Sequence, residues 1–173
     1  YRPEWLQFAQ YALDDPVNVR ALPSNQRIHM FGFTSGELPR PRFEGDCHVA
    51  YRIADPYGAA DNTTCTVLWD TIHQIANAIQ VAGPNLTPAT IRAGLYAVGR
   101  RYPKERWAVG GGYGPGDHSY VDDFALMWWD NSAKWPFDGS NGAYRFTHGG
   151  ARFGRGQLPS DVRFFEDGVT TAS

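Results

Sequence analysis

The segment from residue 62 to residue 99 constrains the fold more than any other, because it predicts two helices together with their ends. Thr63 or Thr64 can cap the first helix at its N-terminus, and Gly83 and Pro84 end it. Apolar residues recur at helical spacing between these limits. The face that we expect to be buried carries Leu68, Ile72, Ile75, Ala76 and Ile79.

The second helix of this segment has equally clear limits. Thr87 is its predicted cap, Pro88 takes the first helical position, and Gly99 ends it. Its predicted buried stripe consists of Ile91, Leu95 and Val98. Both helices should therefore be amphipathic and packed on a core.

Helical patterns dominate the first half of the chain and strand patterns the second. Strands are predicted where aromatic and β-branched residues cluster, and turns where glycine, proline and aspartate cluster. The tail from Phe153 is predicted to end in a strand or coil. The remaining predicted elements are helices over 4–13 and 45–54, and strands over 27–33, 122–130 and 142–146.

Charge and composition exclude some classes of function. The 16 Lys and Arg residues nearly balance the 18 Asp and Glu residues, and no basic block occurs, so we expect no nucleic-acid partner. No apolar run is long enough to span a bilayer. Residues 1–5 contain neither an initiator Met nor a signal peptide, and we expect a mature or fragmentary chain.

The chain has two cysteines, Cys47 and Cys65, on either side of a predicted turn over 55–58. A disulfide between them would stabilise the fold by about 3 kcal/mol in the chain-entropy model. Two buried free thiols are the alternative. The sequence leaves both states open.

Residues with catalytic potential do not form a recognised constellation. The glycine-rich segment 110–116 lacks the Lys-Ser/Thr pair of a phosphate-binding P-loop. Next to it, Asp117, His118, Asp122 and Asp123 could hold a hard cation, but they lack the spacing of a calcium loop, and we expect a solvated turn instead. The five histidines occur singly. We therefore expect neither a metal nor another cofactor.

A series of soft landmarks follows in order along the chain: a helix opening at 1–5, a strand at 29–32, a helix at 50–51, a long helix over 67–81 ending at 82–84, a further helix start at 86–90, a glycine-rich segment running into 117–118, and a strand ending at 128–130. This order resembles the C-terminal half of a type I periplasmic-type substrate-binding protein, from the branch that serves branched-chain amino acid importers.

The resemblance implies an α/β fold with Rossmann-like lobes, in which helices pack on a mainly parallel sheet. Residues 1–158 would form parts of both lobes, and residues 159–173 a C-terminal tail. The chain would lack the N-terminal half of such a protein, and that half would be one of its partners. It would capture a small polar, amino-acid-like solute outside the cytoplasm, present it to a membrane importer permease, and perform no catalysis.

Most ligand-holding side chains of this family would lie before Tyr1. Those that remain are Tyr1, Arg2 and Trp5, in a position where cleft-facing loops occur in open α/β sheets. An aromatic wall with an arginine suits a carboxylate or a flat polar ligand. Alternatively, Trp5 packs its helix onto the sheet and Arg2 is exposed.

The sequence is also compatible with two other functions. One is a secreted hydrolase that uses Asp117, His118, Asp122 and Asp123, which would have to converge in one pocket. The other is a binding-protein fold that serves as a surface or assembly subunit, with exposed aromatic patches that contact other chains.

Overall fold

The computed structural model describes residues 3–8, 13–58, 62–101, 105 and 107–171, and has an α/β fold. Its strands form one mixed sheet of five strands. The elements in chain order are β1 (Trp5–Phe8), α1 (Pro16–Arg20), α2 (Ser24–Arg27), β2 (Met30–Thr34), α3 (Asp46–Ala54), α4 (Asn62–Ala82), α5 (Pro88–Val98), β3 (Asp123–Lys134), β4 (Asn141–Phe146), a 3-10 turn (His148–Gly150) and β5 (Arg152–Gly154).

The sheet has the strand order β1-β2-β3-β4, and the fifth strand, β5, also pairs with β3. Only β1 and β2 are parallel, and the other three pairings among the described strands are antiparallel. The expectation of a mainly parallel sheet is therefore wrong for this part of the chain. Because a short turn joins β3 directly to β4, these two strands must run in opposite directions.

The predicted helix over 4–13 is also wrong where the structure describes it. Trp5, Leu6 and Phe8 lie on β1, which pairs in parallel with β2. Apolar residues at these positions fit a helical stripe as well as a short strand, and pairing with the neighbouring strand decides between them. Residues 9–12 lie outside the described part.

One face of the sheet forms the main core. Met127, Trp129 and Tyr144 are buried there beneath Val19 of α1 and Leu38 of the loop after β2. The Tyr144 hydroxyl donates a hydrogen bond to the Leu13 carbonyl at 2.6 Å, and burial raises the pKa of the phenol. This contact fixes the chain between β1 and α1 to the central strands.

The tail covers part of the opposite face. Phe164 and Phe165 pack on Phe31, and Phe165 also contacts Trp128. Val169 forms a two-way backbone bridge with Phe146. The tail therefore belongs to the same packed unit as the sheet.

The structure confirms the predicted ends of α5, whereas the predicted packing of α4 is wrong. The Thr87 hydroxyl accepts the Thr90 N–H in a capping box, and α5 ends before Gly99. Helices α4 and α5 meet through Ala78 and Gly94, where an added Cβ on Gly94 would lie 2.3 Å from the Ala78 carbonyl oxygen. The predicted buried stripe of α4 is instead exposed, because α4 packs on α5 through the small residues Ala78 and Gly94. The exposed residues are Leu68, Ile72, Ile75, Ala76 and Ile79.

Among the described residues, no helix is both long enough and apolar enough to span a membrane.

Candidate functional site

A cleft of about 390 Å³ lies between the loop after β2, helices α3 and α4, and the segment from 101 to 120. Aromatic rings and carboxylates from separate elements meet in it. Its principal lining residues are Glu37, Trp69, Asp70, Arg101, Trp107 and Tyr120.

The loop after β2 holds Glu37 in place from both sides. At the end of β2, the Thr34 hydroxyl donates to Asp14 at 2.6 Å and accepts the Gly36 N–H at 2.9 Å, which fixes the turn before Glu37. After it, Leu38 is buried and donates its N–H to the Trp107 carbonyl at 2.9 Å. The backbone on both sides of Glu37 is therefore held in place at the cleft.

Helix α4 supplies Trp69, Asp70 and His73 to the cleft. The Trp69 and His73 rings lie 4.2 Å apart between centroids, as expected for residues one turn apart on a helix. One turn before Trp69, Cys65 forms a disulfide with Cys47 of α3. This bond ties the two helices together beside the cleft.

The cleft raises the pKa of three of its acidic groups. Burial, followed by the nearby Asp70 carboxylate, raises the pKa of Glu37 to about 7. Burial also raises the pKa of Asp70, although His73 and Arg101 oppose this effect. Burial and the Asp70 carboxylate raise the pKa of Tyr120. Each shift disfavours the negatively charged form of the group.

Arginines balance only part of this negative charge. The Arg40 guanidinium stacks 3.5 Å from the centre of the Trp107 ring and lies 3.8 Å from Glu37 and 3.7 Å from Asp46. Both ion-pair distances exceed those of a tight, hydrogen-bonded pair. The cleft thus combines aromatic walls with carboxylates that still favour an added positive charge.

This arrangement suits binding of an organic cation more than binding of a metal. Aromatic faces attract cations and also cover apolar groups. Among the residues that the structure describes, no group of three or more His, Cys, Asp and Glu side chains is placed to hold a metal ion.

Of the residues predicted to bind ligand, the structure describes only Trp5, which does not line this cleft. Trp5 lies on β1 and lines a separate groove with Gln7 and Met30. Its side chain is half exposed and does not pack a helix onto the sheet. Tyr1 and Arg2 lie outside the described residues.

The carboxylates of the predicted hydrolase site line another groove, where arginines pair with them. Arg100 lies 2.6 Å from Asp117 and 3.7 Å from Asp122. Asp123 is paired with Arg152 at 2.8 Å, and His118 is an exposed residue of the adjoining turn. The three carboxylates do line one groove, where Asp117 and Asp123 form close ion pairs and the Arg100–Asp122 contact is longer.

The sequence reasoning missed Glu37 and Asp70. Glu37 follows a buried strand within Thr-Ser-Gly-Glu, a place where ligand-contacting loops occur in open α/β sheets. Asp70 follows Trp69 inside a long apolar helix. These two patterns were present in the sequence, but only the fold brings the two carboxyls together.

Comparisons of the chain with protein-family models, curated proteins and solved structures found no match.

Proposed function

We propose that this chain is part of an extracytoplasmic solute-binding protein of the type I periplasmic class, and that it holds a small polar, amino-acid-like solute in the cleft. The observation that carries this proposal is that Glu37 and Asp70 line one cleft together with Trp69 and Trp107. A receptor of this kind needs only a difference in ligand affinity between its conformations, and no catalytic group.

The chemistry of the cleft supports a solute with a protonated amine. A cation placed beside Glu37 and Asp70 would favour the ionised form of both carboxyls, which burial otherwise disfavours. The Trp69 and Trp107 rings can cover an apolar part of the solute, while Arg101 can pair with a carboxylate. Binding would thus use the charge pattern of an amino acid.

Two further observations support the location and the partners. The Cys47–Cys65 disulfide is typical of proteins in oxidising compartments outside the cytoplasm. The nearly balanced charge favours a small solute over nucleic acid. Within this proposal, the protein partners are an importer permease and the N-terminal half of the same polypeptide.

Isothermal titration calorimetry with the standard amino acids and simple alkylamines tests the proposal. We expect at least one of these probes to bind the unmodified protein, and Asp70→Asn to weaken its binding at least tenfold. Glu166→Gln removes an exposed carboxylate of the tail and serves as the matched control with unchanged affinity. Absence of binding for the whole panel, or equal affinity of Asp70→Asn, would contradict the proposal.

A further inference from the structure

Helices α4 and α5 form a hairpin that packs mainly on itself. In the described part of the chain, neither buried hydrophobic cluster contains a residue of these two helices. The described part of α4 has two buried residues, Cys65 and Ala78. Ala78 contacts Gly94, which is the buried residue of α5. The close packing of Ala78 is therefore internal to the hairpin.

Cys65, the other buried residue of α4, joins the hairpin to the body of the fold, which consists of the sheet with α1, α2 and α3. Its disulfide with Cys47 ties α4 to α3. Helix α3 packs on the turn after β3, where the rings of His48 and Phe137 lie 5.1 Å apart between centroids. Phe137 in turn packs against the smaller buried cluster. The disulfide is thus a covalent link between the hairpin and a packed part of the body.

The chain itself rejoins the body just after Gly99, which ends α5. Two residues further on, Arg101 exchanges backbone hydrogen bonds with Gly111 at 2.7 and 2.8 Å. Gly99 has a φ of 73°, in a region that glycine adopts without strain and also leaves readily. A change of backbone angles at Gly99 would turn the hairpin relative to the body.

The hairpin forms one wall of the cleft, and the body forms the other. Trp69 and Asp70 lie on α4, one turn after Cys65, whereas Glu37 and Trp107 line the cleft from the body. The two cysteines also line a smaller cavity together with Glu37 and Asp70. The disulfide therefore lies next to both carboxyls, at the point where the two walls meet.

We propose that the Cys47–Cys65 disulfide is a redox switch of the cleft: the disulfide holds the α4 wall against the body, and its reduction releases the hairpin. A dithiol reduces the bond in two exchange steps. Its first thiolate attacks Cys47, the more accessible of the two residues, and Cys65 leaves as a thiolate. Its second thiolate then displaces Cys47 and closes a cyclic disulfide. The dithiol loses two electrons and two protons, and the two cysteines gain them.

This switch deepens the proposed function and, for its effect on binding, rests on it. Thiols stay reduced in the cytoplasm, and disulfides persist in oxidising compartments outside it. The chain would therefore hold its solute only after export. The release of the hairpin itself does not depend on which ligand the cleft holds.

Distance measurement by pulsed electron paramagnetic resonance tests the release without a ligand. Ala89 of the hairpin and Lys134 of β3 are exposed, and each is replaced by p-acetylphenylalanine and coupled to a nitroxide. We expect a narrow distance distribution with the disulfide intact, and one at least twice as wide in Cys47→Ser with Cys65→Ser. An unchanged distribution in this double variant overturns the proposal.

The matched control uses two labels on the body, at Lys134 and at the exposed Arg155 after β5. Their distance distribution should be the same with and without the disulfide, which also verifies that the body of the double variant is folded. Widening of both label pairs would mean general loosening of the fold, and would overturn the proposal.

Isothermal titration calorimetry tests the effect on binding, with an amine or amino acid that binds the unmodified protein. Dithiothreitol should weaken this binding at least tenfold, and reoxidation should restore it. The double variant should bind weakly with or without dithiothreitol. Equal affinity of the oxidised and reduced unmodified protein overturns the switch. Widening of the Ala89–Lys134 distances in a protein that binds no probe upholds the release and contradicts the proposed function instead.

Discussion

Asp70 of α4 acts on Glu37 across the cleft: its carboxylate adds to burial in raising the pKa of Glu37. The two residues belong to different elements, since Glu37 follows β2 and Asp70 lies in the middle of α4. Their repulsion is a property of the folded state, because nothing holds them together in the unfolded chain. A bound cation would relieve this repulsion.

The first prediction concerns stability and pH. The pKa of Glu37 rises from its ordinary value of 4.5 to about 7 on folding, so between these pH values the native state retains a proton that the unfolded state has released. The free energy of unfolding should therefore fall as pH rises from 4.5 to 7. The loss should be on the order of 2 kcal/mol, given partial screening by solvent.

Glu37→Gln should remove this dependence. Urea unfolding should show the variant to be more stable than the unmodified protein at pH 8 and equal to it near pH 4. Glu166→Gln, which changes an exposed carboxylate, should follow the unmodified protein at both pH values. Parallel curves for Glu37→Gln and the unmodified protein would disprove the assigned pKa.

The second prediction isolates the effect of Asp70. Asp70→Asn should lower the pKa of Glu37 without returning it to 4.5, since burial, the larger cause, remains. Carbon-13 NMR of the Glu37 side-chain carboxyl over a pH series measures this shift directly. Asp161→Asn, a change near His148 on the tail, should leave the titration of Glu37 unchanged. An unaltered titration in Asp70→Asn would mean that burial acts alone.

Helices and strands could be predicted from the sequence where residues close in sequence set their ends. The Thr87 cap, the Pro88 start and the Gly99 end of α5 are local features, and the structure has all three. The strand patterns that became β3 and β4 were likewise recognised, with β3 extending to Lys134. These features need no information about distant parts of the chain.

Features set by tertiary contacts were not predictable in the same way. The strand at Trp5–Phe8 depends on pairing with β2, and the exposure of Ile72 and Ile75 depends on which helix covers the core. The approach of Glu37 to Asp70 depends on the path of the loop after β2. Periodicity reports which face of a helix is apolar, but not what that face contacts.

The third prediction concerns the Cys47–Cys65 disulfide, which joins residues 18 positions apart. Cys47→Ser with Cys65→Ser should lower the free energy of unfolding by about 3 kcal/mol, because the unfolded chain regains the entropy of the open loop. Guanidinium unfolding measures the change. The reducing agent dithiothreitol should destabilise the unmodified protein by a similar amount and leave the double variant unaffected. Equal effects on both proteins would show that the disulfide is not the cause.

The last prediction concerns the ion pair between Arg152 and Asp123. The Arg152 side chain is 7% exposed, donates to Asp123 at 2.8 Å, and donates to the Gly36 carbonyl at 2.7 Å next to Glu37. Arg152→Met keeps much of the side-chain length but leaves a largely buried carboxylate without its cation. The expected loss is about 3 kcal/mol in the free energy of unfolding by urea.

Arg155→Met is the control for this change, since Arg155 lines the same groove but is exposed, and we expect a change within about 0.5 kcal/mol. Adding Asp123→Asn to Arg152→Met should recover part of the loss, because the unpaired charge is then removed. If the effects of the two substitutions on the free energy of unfolding simply added, the loss in Arg152→Met would come from lost packing and not from the unpaired carboxylate. Because Arg152 also holds the Gly36 carbonyl, recovery of stability without recovery of amine binding would indicate that the guanidinium positions Glu37 at the cleft.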